Sequence, residues 1–146
     1  MDAATALTRK IRGAIPLSEA MAFSIDRLSL DEIRVSAPLP PNINIHGTGF
    51  AGSIYSVAVL TGWALCTHII DDLGLDAELV VAGAEISYRV PVTTDLECSC
   101  STTAEQRDEF RQQFETRGKG RLTLDINVGD APAARLSARF VAVARG

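Results

Sequence analysis

GSIYSVAVLTGWALCTHIIDDL, residues 52–73, is the stretch on which the fold turns. From Ile54 to Ile70 it contains no Asp, Glu, Lys or Arg. At a period of 3.6, apolar residues cover nearly the whole circumference, so a helix over Gly52 to Leu73 is expected to be surrounded by protein. The uncharged run falls slightly short of the roughly 20 residues of a membrane span. It also carries Ser56, Thr61, Gly62, Thr67 and His68, with no basic flank. A helix buried in a globular core is therefore expected, not a membrane anchor. Ser53 is a candidate cap at its start, and Gly74 a suitable residue just past its end.

Outward from this helix the chain alternates. On the N-terminal side, residues 5–13 read as a short helix ended by Gly13 and Pro16. Ala22 to Leu30 reads as a strand. Asp31 to Leu39 reads as another, with Ile33, Val35, Ala37 and Leu39 on one face. The junction at Ser29 to Glu32 is short enough for a hairpin. On the C-terminal side, Leu79 to Val92 reads as a long strand, with Val80, Ala82, Ala84, Ile86, Tyr88 and Val90 on one face. Asp95 to Thr103 follows, with Leu96, Cys98 and Cys100 together. Ala104 to Arg117 is polar with Phe110 and Phe114 at i, i+4, which predicts a short surface helix. Leu122, Leu124, Ile126 and Val128 alternate with polar residues, Gly129-Asp130 marks a turn, and Ala133 to Ala144 closes the chain as a strand. The order is two strands, a buried helix, then about four strands. One antiparallel sheet curled around the helix satisfies it, an α+β domain spanning residues 1–146.

Composition agrees with a packed core: of 146 residues, 47% are hydrophobic and 22% charged. The net charge is −4, and no run of Lys or Arg gives the basic stripe of a nucleic-acid binder. The N-terminus lacks the apolar core of a signal peptide. Cys66, Cys98 and Cys100 are an odd set, two of them at i, i+2, which suits neither a disulfide nor a four-ligand zinc site. Reduced thiols in a cytoplasmic protein, with no metal, are expected.

Between the second strand and the helix lies PLPPNINIHGTGFAGS, too rich in Pro, Gly and Asn for regular structure. NINIHGTGFAGSIYS (42–56), followed by an apolar helix containing Gly62-Trp63, resembles the thioesterase-like domain at the C-terminus of YiiD-type proteins. EISYRVPVTTD is similar to that family's strand ending in an aromatic residue and a proline. GKGRLTLDINV and ARLSARFVAVA are similar to its closing strands. The resemblance implies a hot-dog fold, a homodimer or higher oligomer, and an acyl-CoA or acyl-carrier-protein thioester as substrate, with no other cofactor. The sequence departs from hot-dog thioesterases that carry a His-Gly-Gly turn and a helix carboxylate. Matching that turn to Phe50-Ala51-Gly52 puts Val59 where the carboxylate stands, and no Asp, Glu, Lys or Arg occurs from Val35 through Ile70. A non-catalytic acyl-binding or partner domain is thus the alternative, with a dehydratase third.

Gly47-Thr48-Gly49-Phe50-Ala51-Gly52 is the strongest candidate site. Glycines admit a ligand close to the backbone, and a helix start offers unpaired N–H donors suited to a thioester carbonyl and its developing oxyanion. His46 is the only titratable side chain near the turn and the candidate general base. Asn44 is a candidate to position water, and Asn42 is weaker. Ser53 and Thr48 carry hydroxyls for which capping is the favoured role. Glu85, in the apolar strand, either reaches the helix start of a neighbouring subunit or pairs with Arg89; the ion pair is favoured. Trp63, Cys98 and Cys100 are expected in the core.

Overall fold

The computed structural model describes residues 1–146. Helix α1 (Ala3–Ala14) begins at Asp2, whose carboxylate accepts from the Thr5 N–H at 2.8 Å. It is longer at both ends than 5–13, and Pro16 does more than stop it. Proline preset for a helical first turn opens a second short helix, α2 (Pro16–Ala20). Strands β1 (Ser24–Leu28) and β2 (Glu32–Ala37) form the expected hairpin, closed by the Ser29 N–H donating to the Glu32 carbonyl. Then come a 3₁₀ turn (Pro40–Asn42), helix α3 (Ala51–Leu73), β3 (Ala77–Tyr88), β4 (Leu96–Ser101), α4 (Ala104–Arg117), β5 (Lys119–Val128) and β6 (Ala134–Ala144).

All six strands form one antiparallel sheet in the order β1-β2-β4-β5-β6-β3. It wraps one long helix, α3, which is the hot-dog architecture. Alternation in β2, β4 and β5 turns Ile33, Val35, Leu96, Cys98, Leu122, Leu124 and Ile126 onto α3, all of them buried. Gly62 allows the helix to approach this closely. A Cβ there would stand 2.7 Å from the Phe140 ring and 3.1 Å from Ile126. Gly74 ends α3 in the left-handed conformation (φ 66°), as expected.

For α3 and β3, three expectations change. The helix starts one residue earlier than Gly52, with Phe50 in the cap position and no side-chain cap, so Ser53 lies inside the first turn and caps nothing. Nor is α3 enclosed on every side. Ile54, Val57, Ala58, Ala64, Leu65 and Ile69 are buried, but Tyr55, Ser56, Val59, Leu60 and Trp63 are only half-buried along one stripe. Trp63 belongs to this stripe and not to the buried core, its indole N–H donating to the Leu79 carbonyl at 3.4 Å. By length and composition α3 is apolar enough to cross a membrane; here over half of that stretch is buried in the fold (56%).

The third change is in β3, which ends at Tyr88 and not at Val92. A bulge between Val81 and Gly83 shifts its register by one residue against β6. Before the bulge, Ala77 and Leu79 pack on the core; after it, Ala84 and Ile86 do. Val80, expected on one face with Ala84 and Ile86, is instead 50% exposed, because one inserted residue flips every side chain on one side of it.

The sheet's two outer edges differ. On β1 the Ile25 N–H donates to Thr8 Oγ1 of α1 at 3.0 Å, and a bulge interrupts the strand. The β3 edge carries no such cover. Inside the sheet, β4 and β5 pair only at Cys98–Val128 and Ser99–Asn127. Helix α4 lies along the remainder of β5, capped by Thr103 and Gln106 in a reciprocal box. It is more than a surface helix, since Phe110 is buried against Gly120 with Phe114 behind it.

Candidate active site

The turn that enters α3 is held by the backbone and one side chain. The Gly49 N–H donates to the Val92 carbonyl and the Phe50 N–H to the Asn42 carbonyl, both at 2.8 Å. Asn44 organises the loop between. Its Oδ1 accepts from the N–H groups of His46 (2.8 Å) and Thr48 (3.1 Å), and its Nδ2 donates to Thr48 Oγ1 (2.9 Å) and the Gly49 carbonyl (3.2 Å). Both ends of the Asn44 amide are thus engaged within the loop. Asn42 is buried one turn earlier, donating to the Met21 and Pro38 carbonyls.

The three glycines serve different ends. Gly47 adopts φ 81°, which side chains disfavour. Gly49 is small because Val92 and Ile54 lie within 3.0 and 3.2 Å of where a Cβ would stand. Gly52 is small because the Phe50 ring folds over it, 2.6 Å from such a Cβ. Beyond Phe50, the N–H groups of Ala51, Gly52 and Ser53 find no acceptor in the chain, and the first helical bond is Ile54 N–H to the Phe50 carbonyl. Three donors and the positive end of a 23-residue helix therefore converge at one point.

A cavity of about 340 Å³ opens here. Its walls include Asn44, Thr48, Ala51, Ile54, Tyr88 and Arg89. That volume sits at the small end of the roughly 300–1,000 Å³ typical of small-molecule sites. Tyr88 is part of its wall: the phenol donates to the Ala51 carbonyl at 2.8 Å, tying the end of β3 to the first turn of α3. Burial, and secondarily Tyr55, raises the Tyr88 phenol above its ordinary range, so the group stays protonated and donating at neutral pH.

Of the residues expected at the site, Asn44, Thr48, Gly49 and Ala51 line the cavity, whereas His46, Gly47, Phe50, Gly52 and Ser53 neighbour them in sequence and are not part of its wall. His46 is exposed at the tip of the turn, and its side chain makes no hydrogen bond. No side-chain hydroxyl caps α3; Thr48 Oγ1 accepts from Asn44 instead. Glu85 lies apart, on the outward face of β3 opposite Ser137, and makes no ion pair with Arg89. Tyr88 and Arg89 also belong to the wall, and the sequence does not announce them as site residues. EISYRVPVTTD showed an aromatic at a strand end, but nothing local tells that it meets Ala51, 37 residues earlier.

The family model described as "Putative thioesterase (yiiD_Cterm)" matches residues 4–144, and the chain belongs to this family. It is similar over its length to solved structures. One, from Shewanella oneidensis, is described as a "putative thioesterase"; it is 33% identical with a TM-score of 0.85, covering 96% of both chains. Another, a protein of unknown function from Chlorobaculum tepidum TLS, is 25% identical with a TM-score of 0.92, covering 97% of this chain and 94% of that one. A third, from Pseudomonas aeruginosa and described as a probable thioesterase, is 21% identical with a TM-score of 0.85 over 99% of both, and shares the fold. The protein is thus a member of the hot-dog thioesterase superfamily.

Proposed function

We propose that the chain hydrolyses acyl thioesters of coenzyme A or acyl carrier protein at the start of α3. The observation that carries this reading is the set of free N–H groups at Ala51, Gly52 and Ser53, the first of them in the wall of an open cavity that Tyr88 also lines. A thioester carbonyl placed there accepts from these donors, and the bonds strengthen as negative charge grows on its oxygen. His46 takes a proton from the attacking water. The tetrahedral intermediate then collapses, the C–S bond breaks, and the thiolate leaves and is protonated. Asn44 acts through the loop, holding the His46 backbone while its own amide is engaged. Replacing His46 by Gln should lower kcat by about 100-fold, within the range for a lost general base, with KM little changed; steady-state kinetics on one acyl-CoA decides, and an unchanged kcat removes His46 from the mechanism.

Self-association completes the proposal. The β3 edge exposes Val80 and Val81, whereas α1 covers the opposite edge. An open apolar edge of 12 residues pairs readily with another strand, and two-fold pairing with a second copy would also bring protein toward the half-buried stripe of α3. Sedimentation at micromolar concentration should give a dimer or larger, and a monomer would contradict the pairing. The free, buried cysteines suit a reducing compartment, so the cytoplasm is the proposed location. One observation favours a second reading, an acyl-binding domain without turnover: no acidic residue lies between Val35 and Ile70, and His46 has no partner to orient it.

A further inference from the structure

The bond from the Tyr88 phenol to the Ala51 carbonyl crosses 37 residues of chain, and nothing in α3 requires it. The carbonyls that a helix leaves unpaired are those of its last turn; those of its first turn accept from the N–H four residues on. Tyr88 is also 48% exposed, so water is within reach of its hydroxyl. Exchanging water for the Ala51 carbonyl adds little to stability. The backbone of Tyr88, in contrast, is firmly placed. It pairs with Ala134 of β6, and the Arg89 and Val90 N–H groups both donate to the Ala133 carbonyl, at 2.8 and 3.2 Å. The same segment holds the turn a second time, where the Val92 carbonyl accepts from the Gly49 N–H at 2.8 Å. The end of β3 thus grips the entry to α3 on either side of Phe50.

The Ala51 C=O and the Gly52 N–H are the two ends of one peptide unit. We propose that Tyr88 is a positioning residue for hydrolysis: through the Ala51 carbonyl it orients and strengthens the Gly52 N–H as a donor to the thioester oxygen. The inference rests on the hydrolase reading of the α3 start. Amide resonance couples the two ends of the unit. A donor on the oxygen draws electron density off the nitrogen and leaves its proton more acidic, so hydrogen bonds in series reinforce one another. A trans unit points its C=O and N–H in opposite directions. With the phenol fixed on one end, the Gly52 N–H is aimed out past the helix start, where the chain offers it no acceptor. The gain is largest when negative charge has developed on the substrate oxygen, in the tetrahedral intermediate. Burial, ahead of the neighbouring Tyr55, keeps the phenol protonated at neutral pH, as the role demands.

Tyr88→Phe keeps the ring and removes the donor. One oxyanion donor is worth about 100- to 1,000-fold in rate, and reinforcement by a bond in series about 10–30% of that free energy, so kcat should fall by about 2- to 8-fold. KM and melting should hold. The more acidic phenol of 3-fluorotyrosine, installed at position 88, should restore kcat to the parental value or above. A side chain that only packs would not rank phenylalanine below tyrosine below fluorotyrosine. If Tyr88→Phe melts early, the fluorotyrosine protein, which keeps ring and hydroxyl, decides. The Gly52 nitrogen reports the same order without turnover. Carbonyl-¹³C alanine combined with ¹⁵N glycine labels just two peptide units of the chain, Ala51-Gly52 and Ala82-Gly83. The Gly52 nitrogen resonance should move upfield in Tyr88→Phe and downfield with fluorotyrosine, while that of Gly83 stays in place. A Gly52 resonance that does not follow the series, a kcat indifferent to it, or a loss confined to KM would overturn the assignment. A Gly52 nitrogen that follows the series in a protein that hydrolyses no thioester would refute the hydrolase reading and leave the polarised donor standing.

Discussion

Replacing Ala51 by Pro should slow thioester hydrolysis by about 100-fold or more, the usual cost of one lost oxyanion donor. Ala51 is the first residue of α3 and lines the cavity, and its N–H has no acceptor in the chain. Proline removes that donor and little else. It is favoured at the first helical position because its φ suits the helix and no helical bond is lost. The preceding residue, Phe50, already has the extended conformation that proline demands (φ −70°, ψ 129°). Gly52 is the poorer target, because any Cβ there strikes the Phe50 ring. Since the donor's bond strengthens in the transition state, kcat should fall and substrate affinity should hold. Steady-state kinetics with a binding titration separates the two. A folded Ala51→Pro protein with parental kcat would mean that the helix start supplies no essential donor.

The largest expected loss of stability is at Leu65. Its side chain is fully buried where α3 faces the sheet. Leu65→Lys would place an unpaired ammonium in the core, and a destabilisation of about 4 kcal/mol or more is expected, the range reserved for buried charges and large cavities. Leu60→Lys makes the contrast. Leu60 lies on the half-buried stripe, so its ammonium can reach solvent in the single chain. That variant should melt closer to the parent and lose self-association instead. Thermal melts with sedimentation distinguish them; equal melting of Leu65→Lys and the parent would mean that α3 is not wrapped by the sheet.

What the sequence discloses follows from how local each signal is. The alternation in 33–37, 96–100 and 122–128 marks strands with one buried face, and those faces are where periodicity puts them. The uncharged run 54–70 declares a core helix, and Gly74 declares its end. Composition overstates the enclosure of α3, since Tyr55, Val59 and Trp63 read as core by chemistry yet face the open edge of a single chain. In β3 the same alternation misleads. Val80 and Ala84 share a parity, but the bulge at Val81–Gly83 separates their faces, and a bulge among Val, Ala and Gly leaves no mark in hydrophobic pattern. The turn 42–52 announces itself by its glycines and asparagines. Tyr88 and Arg89 join it only through the return of β3 along the sheet, a contact no local pattern encodes.

The central claim, that thioesters are hydrolysed at the start of α3, is tested most directly by release of free coenzyme A from a series of acyl-CoA substrates, followed with a thiol reagent. The protein's own thiols should not interfere. Burial pushes Cys98 and Cys100 up to about 12 and Cys66 well above its ordinary value, so all three stay protonated and out of reach in the native state. The account predicts saturable thiol release above the spontaneous rate for at least one chain length, abolished or nearly so in Ala51→Pro. Saturable acyl-CoA binding with no release above background at any chain length would contradict it and make the domain an acyl-thioester binder.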